Sequence, residues 1–166
     1  MTKSNWVCRW LSFGVGLTLL ALTSARAVAA EKSLYDRLGG EKAISAVVDD
    51  FVARAAADPK VNFMRDGKVT NVDVPKLKQH LVNLVGQLTG GPQKYTGGSM
   101  KDVHKGMKIT DAEFNALAAD LVASLDKFKV PAQEKGELLK LVASTHDDIV
   151  EVKGPAKKKA KDKRKA

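Results

Sequence analysis

At 166 residues, with 44% hydrophobic and 28% charged side chains, the chain has the composition of one globular domain with tails. Its formal charge of +9 sits at the ends: residues 1–30 hold +3 and residues 153–166 hold +7, which leaves 31–152 at −1. A near-neutral body excludes a broad basic surface, so no nucleic-acid partner is expected. The single cysteine, Cys8, lies in the first segment. Once that segment is removed, disulfides, thiolate-held metals and thioether-linked cofactors are excluded as well.

Residues 1–30 read as a secretory signal peptide. Lys3 and Arg9 form a basic start, and Trp10 to Ala25 is an uncharged, mostly apolar run of 16 residues. Small residues crowd Ala27-Val28-Ala29-Ala30, which suits cleavage after Ala29 or Ala30. The run is shorter than the roughly 20 residues a spanning helix needs. The expectation is a periplasmic or secreted protein; the alternative is an inner-membrane anchor left uncleaved. There is no lipobox beside Cys8 and no twin arginine, so the general export route is expected.

Residues 31–152 read as the folded domain, and every element in it is helical. Ser33 and Asp36 cap a first turn over Leu34-Tyr35-Asp36-Arg37-Leu38, which Gly39-Gly40 ends. Ile44, Val47, Val48, Phe51, Val52 and Ala55 then share one helix face, and Asp58-Pro59 stops that helix. Residues 59–74 form a loop that turns at Asn62, Asp66-Gly67 and Asn71, with Val61, Phe63 and Met64 folded inward. Pro75 starts the next helix, which runs to about Leu88. Its apolar stripe is Leu77, Leu81, Leu84, Val85 and Leu88. His80 lies beside Leu77, Leu81 and Leu84 on that stripe. Gly90-Gly91-Pro92 breaks it.

A short turn follows, over Met100 to Met107, relaxed by glycines on both sides. Met100, Val103, His104 and Met107 fall at helical spacing, so one face offers apolar groups and one imidazole. A turn this short needs packing or a ligand to hold it. Thr110-Asp111-Ala112-Glu113 is a capping box. It opens a helix with Phe114, Leu117, Leu121, Leu125 and Phe128 inward. Pro131 begins a last helix carrying Leu138, Leu141, Val142, Thr145 and Ile149 on one side. His146, beside Asp147 and Asp148, reads as solvated or paired with acid. No strand alternation and no internal repeat occur, so the class is all-α. From Lys153 the chain is Lys-rich and expected to be disordered.

Four pieces in order resemble the group I truncated globins, a two-over-two α-helical heme fold. They are Leu34-Tyr35-Asp36-Arg37-Leu38-Gly39-Gly40, Val47-Val48-Asp49-Asp50-Phe51, Gly90-Gly91-Pro92-Gln93-Lys94-Tyr95-Thr96-Gly97 and Met100-Lys101-Asp102-Val103-His104-Lys105-Gly106. Ile109 to Phe114 and Val130-Pro131 also fit. The match spans about residues 33–150. It implies heme b, held non-covalently, with His104 as the proximal iron ligand. Met100 and Met107 are assigned to heme contact through that neighbour. Leu77, Leu81 and Phe63 are placed around the cofactor, with Met64 as the alternative to Phe63. Tyr95 and Phe114 join them, packing being their other role.

Two departures bear on function. The family often has Tyr after the Phe matching Phe51, where this chain has Val52. It often has Gln in the distal helix where this chain has Leu81. Both family residues donate hydrogen bonds to the gas ligand, and each lost donor is worth about 1 kcal/mol or more. Some members, notably of cyanobacterial type, carry a histidine where this chain has His80, and it occupies the sixth iron position when no gas is bound. The expectation is therefore bis-histidine ligation by His104 and His80, the latter displaceable by O₂, NO or CO. Alternatives are an electron-transfer or NO-consuming heme protein, which needs a redox partner, and a non-heme helical module acting through its tail. The basic tail is expected to contact an anionic membrane or cell-wall surface.

Overall fold

The computed structural model describes residues 31–154, apart from Lys68 and Asn71. The expected signal segment, and residues 155–166 of the tail expected to be disordered from 153, lie outside the described residues; Lys153 and Gly154 are instead bonded to Asp147 and Asp111.

Helix α1 (Leu34–Arg37) is held by Ser33, whose Oγ accepts the Asp36 N–H at 3.1 Å. Between α1 and α2 (Gly40–Ala57), Gly39 takes φ +93°. A Cβ there would be strained by the backbone and pressed 2.9 Å from that of Ala43. Asp58 turns extended and ends α2, as the following proline requires. A 3₁₀ turn covers Arg65–Gly67.

Helix α3 (Val74–Leu88) begins one residue earlier than the proline signal suggests. Asp73 is its cap, with Oδ1 accepting the Lys76 N–H at 3.0 Å, so Pro75 falls at the second helical position. Helix α4 (Met100–His104) has five residues and is capped by Ser99. Helix α5 (Asp111–Lys127) opens on the expected capping box: the Thr110 hydroxyl receives the Glu113 N–H, and the Glu113 carboxylate receives the Thr110 N–H.

The last helix is not continuous. It divides into α6 (Ala132–Ala143) and α7 (His146–Ile149). Ser144 Oγ donates to the Leu141 carbonyl and Thr145 Oγ1 to the Val142 carbonyl, each at 2.7 Å. Side chains that compete for helix carbonyls in this way bend or end the helix. No strand occurs among the described residues, only an isolated parallel bridge between Thr110 and Val152.

Helix α2 packs on α3 and on α5, and α5 packs on α6. The result is two stacked helix pairs. Ile44, Val48, Val52 and Val82 form the α2–α3 core, and Val47, Leu121, Leu125 and Leu138 the core between α2, α5 and α6. A third cluster joins Phe114, Ile149 and Val150, with Met100 and Ile109 against it. Each fully buried side chain of this kind contributes roughly 1.5–3 kcal/mol. Polar ties hold the layers in register. Arg37 reaches from α1 to Glu134, at 2.9 Å, and to Glu137 on α6. Asp50 on α2 meets Ser124 and Lys127 on α5.

Candidate functional site

The two helix pairs do not close completely. Between them lies a cavity of about 180 Å³. Its lining is almost wholly aliphatic and aromatic, the character of a site for an apolar guest. Phe51 comes from α2, Leu81 and Leu84 from α3, Leu117 from α5 and Val142 from α6. Among the lining residues only His104 and Thr145 carry an N–H or O–H on the side chain. Thr145 already donates to the Val142 carbonyl. His104 is thus the polar group left to serve a guest.

Its ring is oriented from behind. His104 Nδ1 lies 2.7 Å from the Met100 carbonyl oxygen, one turn back in α4. A carbonyl only accepts, so Nδ1 carries the proton and Nε2 keeps its lone pair. This is the arrangement that orients a metal-ligating imidazole and raises its basicity. Among the described residues no three His, Cys, Asp or Glu side chains gather to hold a bare ion. A lone imidazole on an apolar wall fits a metal whose other ligands are supplied by a macrocycle. The donor set and the cavity therefore fit heme.

The cavity brings together four of the residues expected around a cofactor: His104, Met100, Leu81 and Phe114. His80, Leu77, Tyr95, Met107 and Phe63 are not among its lining residues. The His80 ring stands edge-on to Tyr95, and its Nδ1 is buried without a hydrogen-bond partner. Tyr95 has the packing character: its hydroxyl donates to the Gly98 carbonyl at 2.9 Å, and its N–H to Gln87 Oε1 at 2.8 Å. Met64 is exposed. Val52 is buried in the α2–α3 core, 4% exposed, instead of facing the cavity.

Sequence reasoning assigned Phe51, Leu117 and Val142 to the core, whereas they border empty space. Apolar periodicity marks an inward face and carries no sign of whether that face meets a neighbour or a void. Thr145 is likewise a wall residue. His146, placed with acids from the sequence, meets Asp111 at 2.8 Å and stands edge-on to Phe114.

A greasy slot between two helix pairs, with one polarised imidazole on its wall, defines a heme-binding globin, and its cofactor is heme b. The chain belongs to the bacterial-like globins, matching that family over residues 33–151. Within it the chain falls among the group 1 truncated hemoglobins. It is 35% identical to the group 1 truncated hemoglobin of Mycolicibacterium paratuberculosis, over 70% of this chain and 83% of that protein. The crystal structure of the Tetrahymena pyriformis truncated hemoglobin in its Fe(III) form superposes with a TM-score of 0.65. It is 30% identical and covers 72% of this chain and 98% of that one. The 2/2 hemoglobin of Synechococcus, in the cyanomet state and with covalently attached heme, gives 0.64 at 30% identity, with the same coverage.

Proposed function

We propose that this protein is an exported globin that binds a diatomic gas, O₂, NO or CO, on a heme whose iron is ligated by His104, with His80 as a displaceable sixth ligand. The observation that carries the reading is the Nδ1–H of His104 held by the Met100 carbonyl on the wall of an apolar cavity. Heme supplies the gas-coordinating metal and the ferrous–ferric couple. The protein supplies the rest. Met100 fixes the plane of the ring and leaves Nε2 as the donor atom. Leu81, Leu84, Phe51 and Leu117 exclude water from the guest's faces.

The distal side is set by what is missing. Val52 and Leu81 offer no hydrogen bond to a polarised ligand, so O₂ is held loosely. The same missing donors disfavour consumption of NO, and an iron bound by His80 favours ligand sensing or electron transfer with a redox partner over storage. The sixth-ligand role comes to His80 from the resemblance to members with a histidine at that position; its side chain does not line the cavity. Its buried, unpartnered Nδ1 carries a cost of about 1–3 kcal/mol, which ligation or a rotated ring relieves. Outside the described residues, the leader directs export, and the +7 charge of residues 153–166 anchors the protein to anionic lipid or cell-wall polymer at about 1 kcal/mol per charge near the surface.

Heme titration tests the reading. Purified protein is expected to develop a Soret band at one equivalent, and His104→Ala to weaken heme binding at least a hundredfold. Absence of the band, or an unchanged spectrum in His104→Ala, refutes it.

A further inference from the structure

We propose that Glu151 is a positioning residue for the iron-ligating imidazole of His104, acting on the backbone that follows α4 from the far end of the chain. The proposal rests on His104 being the proximal ligand. Helix α4 spans five residues, too few to be stable by itself. Its start is fastened: Ser99 accepts the Asp102 N–H at 3.1 Å. Its end is not capped from within. Lys105 leaves the helix with ψ 129°, and Gly106 follows at φ +80°, a conformation other side chains rarely adopt. Beyond the ligand, the Gly106 and Lys108 N–H groups lie past the end of α4 and, like any backbone donor, call for an acceptor.

Glu151 supplies them. Its Oε1 accepts the Gly106 N–H and its Oε2 the Lys108 N–H, both at 2.6 Å. The main chain seconds the side chain: the N–H groups of Glu151 and Val152 both donate to the Ile109 carbonyl at 3.0 Å. Asp111 N–H returns a bond to the Val152 carbonyl at 3.3 Å. Asp111 in turn accepts from His146 Nε2 and from the Gly154 N–H. Three of the residues after the ligand, Gly106, Lys108 and Ile109, are thus tied to Glu151 or its neighbour Val152, while Met107 N–H turns back to the His104 carbonyl at 3.1 Å. Two of those ties are hydrogen bonds to a charged carboxylate, the stronger kind. Ile149 and Val150 anchor the same strap in the cluster that Met100 joins. His104 is held at two points: its ring by the carbonyl one turn before it, and its exit by a carboxylate 45 residues later.

Such a clamp sets the tilt and the slack of the ligand nitrogen. Without it the α4 exit samples more than one conformation, and the iron–nitrogen bond weakens and becomes heterogeneous. Glu151→Ala is expected to lower and broaden the iron–histidine stretching band, recorded on the transient five-coordinate ferrous form left by photolysis of the CO complex. It should also speed hemin transfer to an excess of a heme-scavenging apoprotein about tenfold, the equivalent of about 1.4 kcal/mol. Glu151→Gln keeps one acceptor oxygen and turns an N–H₂ toward the second N–H, so it should fall between the two. It also serves as the reporting variant if the alanine protein does not fold. Lys153→Ala, on the same strap but bonded to exposed Asp147, should behave as the parent. A parent-like stretching band and transfer rate in both Glu151 variants would overturn the proposal while leaving His104 ligation intact. Loss of heme binding in the unmodified protein, or its retention unaltered in His104→Ala, would instead remove the ligand reading, and the proposal with it.

Discussion

The imidazole of His80 stands edge-on to the phenol ring of Tyr95, with ring centroids 5.8 Å apart and planes at 75°. The pairing parks the histidine at the rim of α3, and its Nδ1 is buried without a partner. Two consequences follow for the spectrum. If His80 takes the sixth position, the ferric protein is low-spin, and His80→Ala yields a water-bound or five-coordinate form by absorption and electron paramagnetic resonance. A low-spin spectrum that persists in His80→Ala assigns the sixth ligand to another group.

Leu81 lines the cavity, at the position where the truncated globins often carry Gln. Leu81→Gln adds one donor worth about 1 kcal/mol, a factor of roughly five in an equilibrium. O₂ release, followed by stopped flow after mixing the oxygenated protein with CO, should slow by about that factor. An unchanged rate would mean that the side chain at 81 does not reach the ligand.

Leu125 is 1% exposed and packs with Val47, Leu121 and Leu138. Truncating such a side chain removes apolar burial and leaves a void, costing about 2–5 kcal/mol. Leu125→Ala should lower the urea midpoint of the heme-free protein with an unchanged slope. A midpoint equal to the parent's would show that the wall collapses into the cavity without penalty.

Asp50 joins α2 to α5. Lys127 and the Arg54 guanidinium, at 2.6 Å, together with the Ser124 hydroxyl, at 2.9 Å, hold its carboxyl well below its usual 3.8. Because the folded value lies below the unfolded one, its stabilising contribution is complete above about pH 4. It fades as pH falls toward the folded value. The gap in melting temperature between the parent and Asp50→Asn should be largest near neutral pH and narrow steadily from pH 4 to pH 2. A gap that widens on acidification would contradict the sign of this linkage.

Much of this protein was legible as a one-dimensional pattern. The capping box at Thr110 and Glu113, the Ser33 cap, the stop at Asp58-Pro59 and the inward faces of α2, α3 and α5 are local, except that Phe128, expected inward, caps α5 and is 41% exposed. Each depends on residues within one or two turns, where backbone sterics and hydrogen-bond spacing decide the outcome. The order of four motifs singled out His104 through the resemblance they carry, and the structure puts that residue on the cavity wall. The division of α6 from α7 was missed because Ser144 and Thr145 look neutral in a periodic run. Only their rotamers show that they spend their hydroxyls on helix carbonyls.

What the chain pattern determined was the all-α class and the near-neutral body, since each follows from residue type and spacing; the resemblance added His104 as the candidate ligand. What the tertiary structure decided was where the space lies and which atoms face it. Leu81 and Phe51 border a void while Val52 is sealed in the core, though all three sit on apolar faces. Glu151 grips the exit of α4 across 45 residues, a pairing no periodicity encodes. Cavities and long-range clamps arise from how rigid helices stack, and stacking is settled by packing the whole chain at once.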